Sequence, residues 1–162
     1  MRTLTLAVLV GLAISLLPAG AASAQAPPPY GPPITLEQAK KAAAAAEAEA
    51  RKNNWSHVIV ILDSGGNLVL LERMDNTQLG GAEVARQKAY SAVAFRRPTK
   101  VFQDRLAGGG IGLQVLGLEG AVPLEGGFPI VADGKIIGGI GASGGSAEQD
   151  AQVASAGLAA LK

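Results

Sequence analysis

The sequence has no cysteine and only one histidine, His57. The first absence excludes disulfides, thiolate metal sites and a thiol nucleophile. The second excludes any site built from several histidines, and leaves His57 as the sole imidazole for a nucleophile–base pair. Neither sign of charge dominates: 14 Lys and Arg stand against 13 Asp and Glu, with no basic tail or lysine run. The electrostatic footprint of a nucleic-acid or anionic-membrane partner is therefore missing. No G-x-S-x-G or H-E-x-x-H motif is present, and no acid/base pair stands at meaningful spacing. A domain without disulfides is held by its packing.

The long apolar run lies at the start. Met1-Arg2 is a short positive beginning, Leu4 to Leu17 is almost wholly apolar, and Ala22-Ser23-Ala24 is an A-x-A-like cleavage site. The run is shorter than the roughly 20 residues that span a bilayer, and no stop-transfer pattern follows. Residues 1–24 therefore read as a removable signal peptide, with Gln25 the first mature residue, a periplasmic or secreted location, and no membrane span after cleavage. Loss of Arg2 leaves the mature chain near neutral. Residues 25–33, rich in proline, are expected to stay extended and mobile. Residues 34–162 suit one domain with a single core.

Within that domain Thr35 and Gln38 form a capping-box pattern ahead of an alanine-rich helix reaching about Arg51. Its small-residue face lets another element come close. His57 to Leu62 reads as a central strand, Asp63 to Asn67 as a turn, and Leu68 to Met74 as the return strand. A helix over about Gly81 to Phe95 follows, then a shorter one opened by Pro98. Glycines break the apolar runs from Ala107 to Leu124. Asp133-Gly134 joins Phe128–Ala132 to Lys135–Gly141 as a second hairpin. Ser146 caps a closing helix to about Leu161. Hairpins set among helices predict an α+β fold with a roughly five-stranded antiparallel sheet and helices packed on it, not a doubly wound one.

Three ordered blocks, VIVILDSGGNLVLLERMD, KAYSAVAFRRPTK and EGGFPIVADGKIIGGIGASGGSAEQDAQVASAGLAAL, make the chain resemble the GlcG/HbpS family of haem-binding proteins. That family is also described as haem-degrading-like, and includes the C-terminal domain fused to some corrinoid adenosyltransferases. The resemblance implies a profilin-like sandwich, assembly into a homo-oligomer larger than a dimer, and a non-covalently bound haem or related tetrapyrrole. Without cysteine, covalent c-type attachment is excluded.

The candidate contacts follow. Arg96, Arg97 and Lys100 place three cations within five residues around Thr99, at a helix–helix junction. Cations and first-turn amides favour anions, and haem carries two propionates. The matching F-x-x-P-T segment in the family makes Thr99 the candidate on the iron side. Against this stands a solvated basic bend, in which Thr99 only assists the helix start. His57 is the alternative iron ligand, although a histidine beginning a strand is as readily solvent-facing or a cap. Met74 could ligate iron and Arg73 could hold a propionate, but Met74 suits packing and Arg73 could pair with Asp75. Asp63 fits a turn acceptor. The glycines of Gly138 to Gly145 suit close backbone approach, with an anion on the amides of 143–146 as the second reading. An alternative function is an enzyme acting on a small organic acid or aldehyde, gripped by Arg73, Lys88 and the glycine-rich loop. A structural partner without a ligand is a third.

Overall fold

The computed structural model describes residues 26–162; the expected signal peptide lies outside them. The chain forms α1 (Leu36–Lys52), β1 (Val58–Asp63), β2 (Leu68–Arg73), α2 (Gly81–Phe95), α3 (Lys100–Ala107), a 3-10 helix (Gly110–Gly117), β3 (Gly127–Ala132), β4 (Lys135–Ser143) and α4 (Ala147–Ala159). The strands make one antiparallel sheet in the order β2-β1-β4-β3. The sheet thus has four strands where about five were expected. A fifth would have had to come from the stretch before Leu124, where Gly109, Gly110 and Gly120 take positive φ values of 63°, 53° and 80°. Such values cannot extend a strand, and the apolar run between them coils into the 3-10 helix.

Local chemistry sets the boundaries. Thr35 and Gln38 complete a reciprocal capping box on α1, and Ser146 with Gln149 repeats it on α4. Asp63 Oδ1 accepts the amides of Gly65 and Asn67 at 2.8 and 2.9 Å, closing the first hairpin. Asp133 and Gly134 have φ values of 49° and 71°, the left-handed pair that a tight two-residue hairpin requires.

The sheet is covered on both faces. Ile59, Ile61 and Ile140 point into a core with the buried alanines of α1 and with Val153 and Ala154 of α4. Val58, Val60 and Leu62 point the other way, against Ala85 and Ala89 of α2. Opposite Val60 and Leu62, β4 supplies no side chain: a Cβ on Gly141 would collide with the Ala85 carbonyl oxygen, and one on Gly139 with Val93. Helix α2 therefore rests directly on the strand backbone, the close approach expected of a glycine-rich strand. On the opposite side Ala42 and Gly157 bring α1 and α4 together in the same way. These small-residue faces are occupied within the chain, so they supply no argument for subunit packing.

The proline-rich leader is extended as expected, but residues 29–34 are held. Gly31 donates to Ile136 O at 2.8 Å, Ile136 to Pro29 O at 2.8 Å, and Ile34 to Ile137 O at 2.7 Å. Tyr30 forms a parallel bridge with Ile136, past the point where β1 stops pairing with β4 at Asp63–Gly138. The leader takes over the edge of β4 that β1 leaves open. Among the described residues no helix is long and apolar enough to cross a membrane.

Candidate functional site at the junction of α2 and α3

Helix α2 ends at Phe95, and Arg96 follows as its C-cap with φ 53° and ψ 40°. A left-handed C-cap ordinarily takes glycine or asparagine, because it costs other residues about 1–2 kcal/mol. Among the described residues four non-glycines have positive φ; the other three are Asn54, Asn76 and Asp133, types that tolerate it. Arg96 keeps a large cation in a conformation that disfavours it.

The junction's three cations are engaged one by one. The Arg96 guanidinium lies over the Tyr30 ring, 5.7 Å from its centroid. Arg97 lies 5.9 Å from the Phe102 ring centroid, and its Nε donates to Phe95 O at 3.0 Å. Lys100 Nζ pairs with Asp104 at 2.6 Å, and that hydrogen bond holds the amine above the ordinary lysine value. Arg97 and Lys100 are exposed and Arg96 is half-buried. Exposed apolar surface adjoins them: Val101 on α3, and Leu124 on the loop that Glu125 ties to α3 through Gln103 Oε1 at 2.8 Å.

Thr99 differs from its neighbours in being fully buried. Its hydroxyl accepts the Gly127 amide at 3.0 Å, and its own amide donates to Gly127 O at 3.0 Å, clamping the junction to the start of β3. The amides of Val101 and Phe102 donate to Pro98 O and Thr99 O. The expected anion site on first-turn amides is thus already occupied by the backbone, and the side-chain cations are what the junction offers an anion.

Next to Gly127 lies a buried cluster that the sequence did not announce. Lys88 Nζ of α2 is 2.5 Å from Asp150 Oδ2 of α4 and donates to Ala142 O at 3.2 Å. His57 Nε2 is 3.1 Å from Asp150 Oδ1, though not aligned as a hydrogen bond, and Nδ1 has no partner. The amides of Gly144 and Gly145 both donate to Asp150 Oδ1 at 3.0 Å. The anion held by the glycine-rich amides is therefore the chain's own carboxylate. Burial pushes that carboxyl upward, but His57, Lys88, the Gly145 amide and the Lys88 charge outweigh it, leaving it below its usual value. Gly126, with φ 115°, covers the cluster so tightly that a side chain there would strike Asp150 and Lys88.

The expected site residues are divided accordingly. Lys88 and His57 are buried in the cluster, which corrects both the solvent-facing histidine and the substrate-gripping lysine. Met74 follows the end of β2; its sulfur accepts the His57 amide at 3.4 Å, so it packs. Arg73 donates to Thr77 O at 2.8 Å in place of the expected partner Asp75. Arg73 ends β2 and Thr99 is clamped to β3, and these are opposite edges of the sheet. Three strand spacings, about 14 Å, separate the two edges. Arg96, Arg97, Thr99 and Lys100 form one locality, and Arg73 and Met74 belong to another.

Fold and junction together define a three-layer α+β domain with an exposed cationic bend flanked by apolar side chains. The family model for haem degrading protein HbpS-like matches residues 34–159, and the chain belongs to that family. It is 41% identical over 110 residues to protein GlcG of Escherichia coli, covering 68% of this chain and 81% of GlcG. A double mutant of Streptomyces reticuli HbpS superposes with a TM-score of 0.74 at 31% identity, covering 93% of this chain and 99% of the other. A PduOC–haem complex superposes with a TM-score of 0.72 at 31% identity, covering 80% and 96%.

Proposed function

We propose that the protein binds haem or a related tetrapyrrole non-covalently, acting as a binding protein. The observation that carries this reading is the exposed cationic bend of Arg96, Arg97 and Lys100 beside Val101 and Leu124. Two propionates need cations, and a macrocycle needs apolar surface; the bend offers both. The haem held by the PduOC relative supports the choice of ligand. Iron fits less well. His57 and Met74 are enclosed, and the Thr99 hydroxyl is bonded to Gly127. Thr99, the expected contact on the iron side, lies behind the bend, fully buried, so haem held by the cations alone would be weakly ligated and exchangeable. Bound haem would supply an exchangeable iron centre; Arg96, Arg97 and Lys100 would hold its carboxylates.

Several wider features belong to the same proposal. The protein acts in the periplasm or outside the cell, following the A-x-A site. It assembles into a homo-oligomer, for which exposed Ile111, Leu113 and Leu116 on the 3-10 helix are the support. Helices on both faces of the antiparallel sheet suit a profilin-like sandwich. Absorption titrations with haem and with iron-free protoporphyrin test the ligand reading. A shifted Soret band saturating at fixed stoichiometry is expected, with the two ligands within about tenfold in affinity because iron adds little. No saturable shift with either would overturn it.

A further inference from the structure

Resting on that reading, we infer that Tyr30 of the leader is a positioning residue for ligand binding: its ring is the platform that aims the Arg96 guanidinium. Two independent observations lead there. Arg96 is a non-asparagine, non-glycine side chain kept in the left-handed region, where glycine would sit without strain. Strain retained at one residue is a pointer to function when the surroundings hold it in place. The backbone is held there by the amides of Arg96 and Arg97, which donate to Val93 O and Ala92 O at 3.2 Å, and the side chain lies over the Tyr30 ring, with the guanidinium 5.7 Å from the centroid.

The ring is itself fixed by two elements at once. Backbone pairing of Pro29 and Gly31 with Ile136 of β4 anchors the leader on both sides of Tyr30. The phenol then donates to Val93 O at 2.9 Å and to Ala94 O at 3.3 Å, carbonyls of the last turn of α2. Leader, helix end and cation therefore meet at one point. Arg97 and Lys100 take their partners from α3, while Arg96 takes its partner from a segment far upstream. A guanidinium engaged by a ring face spends none of its N–H donors on that contact, so they stay available to a carboxylate.

The two roles of Tyr30 separate by mutation. The ring aims Arg96; the hydroxyl caps α2. Tyr30→Phe keeps the first and removes the second, whereas Tyr30→Ala removes both. Haem titration should show Tyr30→Ala binding about twofold to fivefold more weakly, the range of an exposed cation–π contact. Tyr30→Phe should bind within twofold of wild type, although its thermal midpoint falls. Arg96→Gly should bind more weakly than Tyr30→Ala while its midpoint does not fall, since glycine relieves the left-handed strain. In the ligand-free protein the Arg96 side-chain proton resonances should be shifted upfield by the ring, an effect kept in Tyr30→Phe and lost in Tyr30→Ala. A folded Tyr30→Ala that binds as wild type, or a Tyr30→Phe as weak as Tyr30→Ala, overturns the positioning role alone. An unshifted Arg96 in the wild type does the same without any ligand. A wild type that takes up neither haem nor protoporphyrin overturns the ligand reading, and this inference with it.

Discussion

Two groups of charges lie on either side of Gly126–Gly127 and behave in opposite ways. Lys88, Asp150 and His57 are buried, drawn from three separate parts of the chain, and directed at a single carboxylate. Arg96, Arg97 and Lys100 are adjacent in sequence, largely open to solvent, and directed at three different partners. A buried carboxylate with two amides and an ammonium has no capacity left for a visitor, so its energy goes into the fold. Exposed cations on aromatic rings or a surface aspartate hold those partners weakly and can exchange them. The neighbourhood that looks most like catalytic machinery is therefore structural, and the ordinary-looking bend is the candidate site.

Removing Asp150 should break the comparison most severely. Asp150→Ala leaves Lys88 charged in the core with two glycine amides unpaired, and should cost about 3–5 kcal/mol of stability by chemical denaturation. A loss below about 1 kcal/mol would mean that the cluster is not a keystone. His57→Ala should cost less, about 1–3 kcal/mol, since it deletes one neighbour of Asp150 and leaves a cavity. It should leave the Soret band of bound haem unchanged; abolition of the shifted band would make His57 the iron ligand. At the other group, replacing Arg96 and Arg97 together by alanine should weaken haem binding by more than tenfold, about 1.4 kcal/mol. Circular dichroism should show the fold intact. A double variant binding within twofold of wild type would remove the bend from the site.

Acid sharpens the contrast further. The Asp150 carboxyl lies below its ordinary value of 3.8 in the fold. A depressed carboxyl contributes stability that is fully present above the unfolded value and is lost as pH falls through the folded one. Stability measured from pH 6 downward should therefore decline below about pH 4, less steeply in Asp150→Asn. Parallel curves would show that Asp150 is not the group responsible. The smallest effect is expected at Lys100→Ala, whose surface pair with Asp104 should leave the unfolding midpoint unmoved within error.

Much of this fold is written in local signals. The Thr35 capping box, the Ser146 cap, the Asp63 turn and the Asp133-Gly134 hairpin depend on residues a few positions apart, and each stands where the sequence places it. The strand count failed where glycines made an apolar run ambiguous between a 3-10 helix and a strand. The leader was misjudged because its order comes from β4, far along the chain. The Lys88–Asp150 pair was overlooked for a similar reason, yet a sign of it was available. Ala85, Ala89 and Ala92 mark the inward stripe of α2 at helical spacing, and Lys88 falls inside that stripe. A lysine on a buried face demands an anion, and Asp150, early in a helix just after two glycines, was the acid suited to it. At the junction the cationic bend was plain in the sequence. The burial of Thr99 was not, because its partner Gly127 lies on a strand 28 residues away.

The attachment of the leader to β4 also bears on when the site comes into existence. Pro29 to Ile34 and Ile136–Ile137 stand near opposite ends of the chain, so their pairing closes one of the longest loops in the molecule. Loops of that size are closed late, after local contacts have formed, because chain entropy opposes them most. Tyr30 arrives under Arg96 only with that closure. A molecule still short of its last strand would hold Arg96 without its platform, and would take up ligand the more weakly for it.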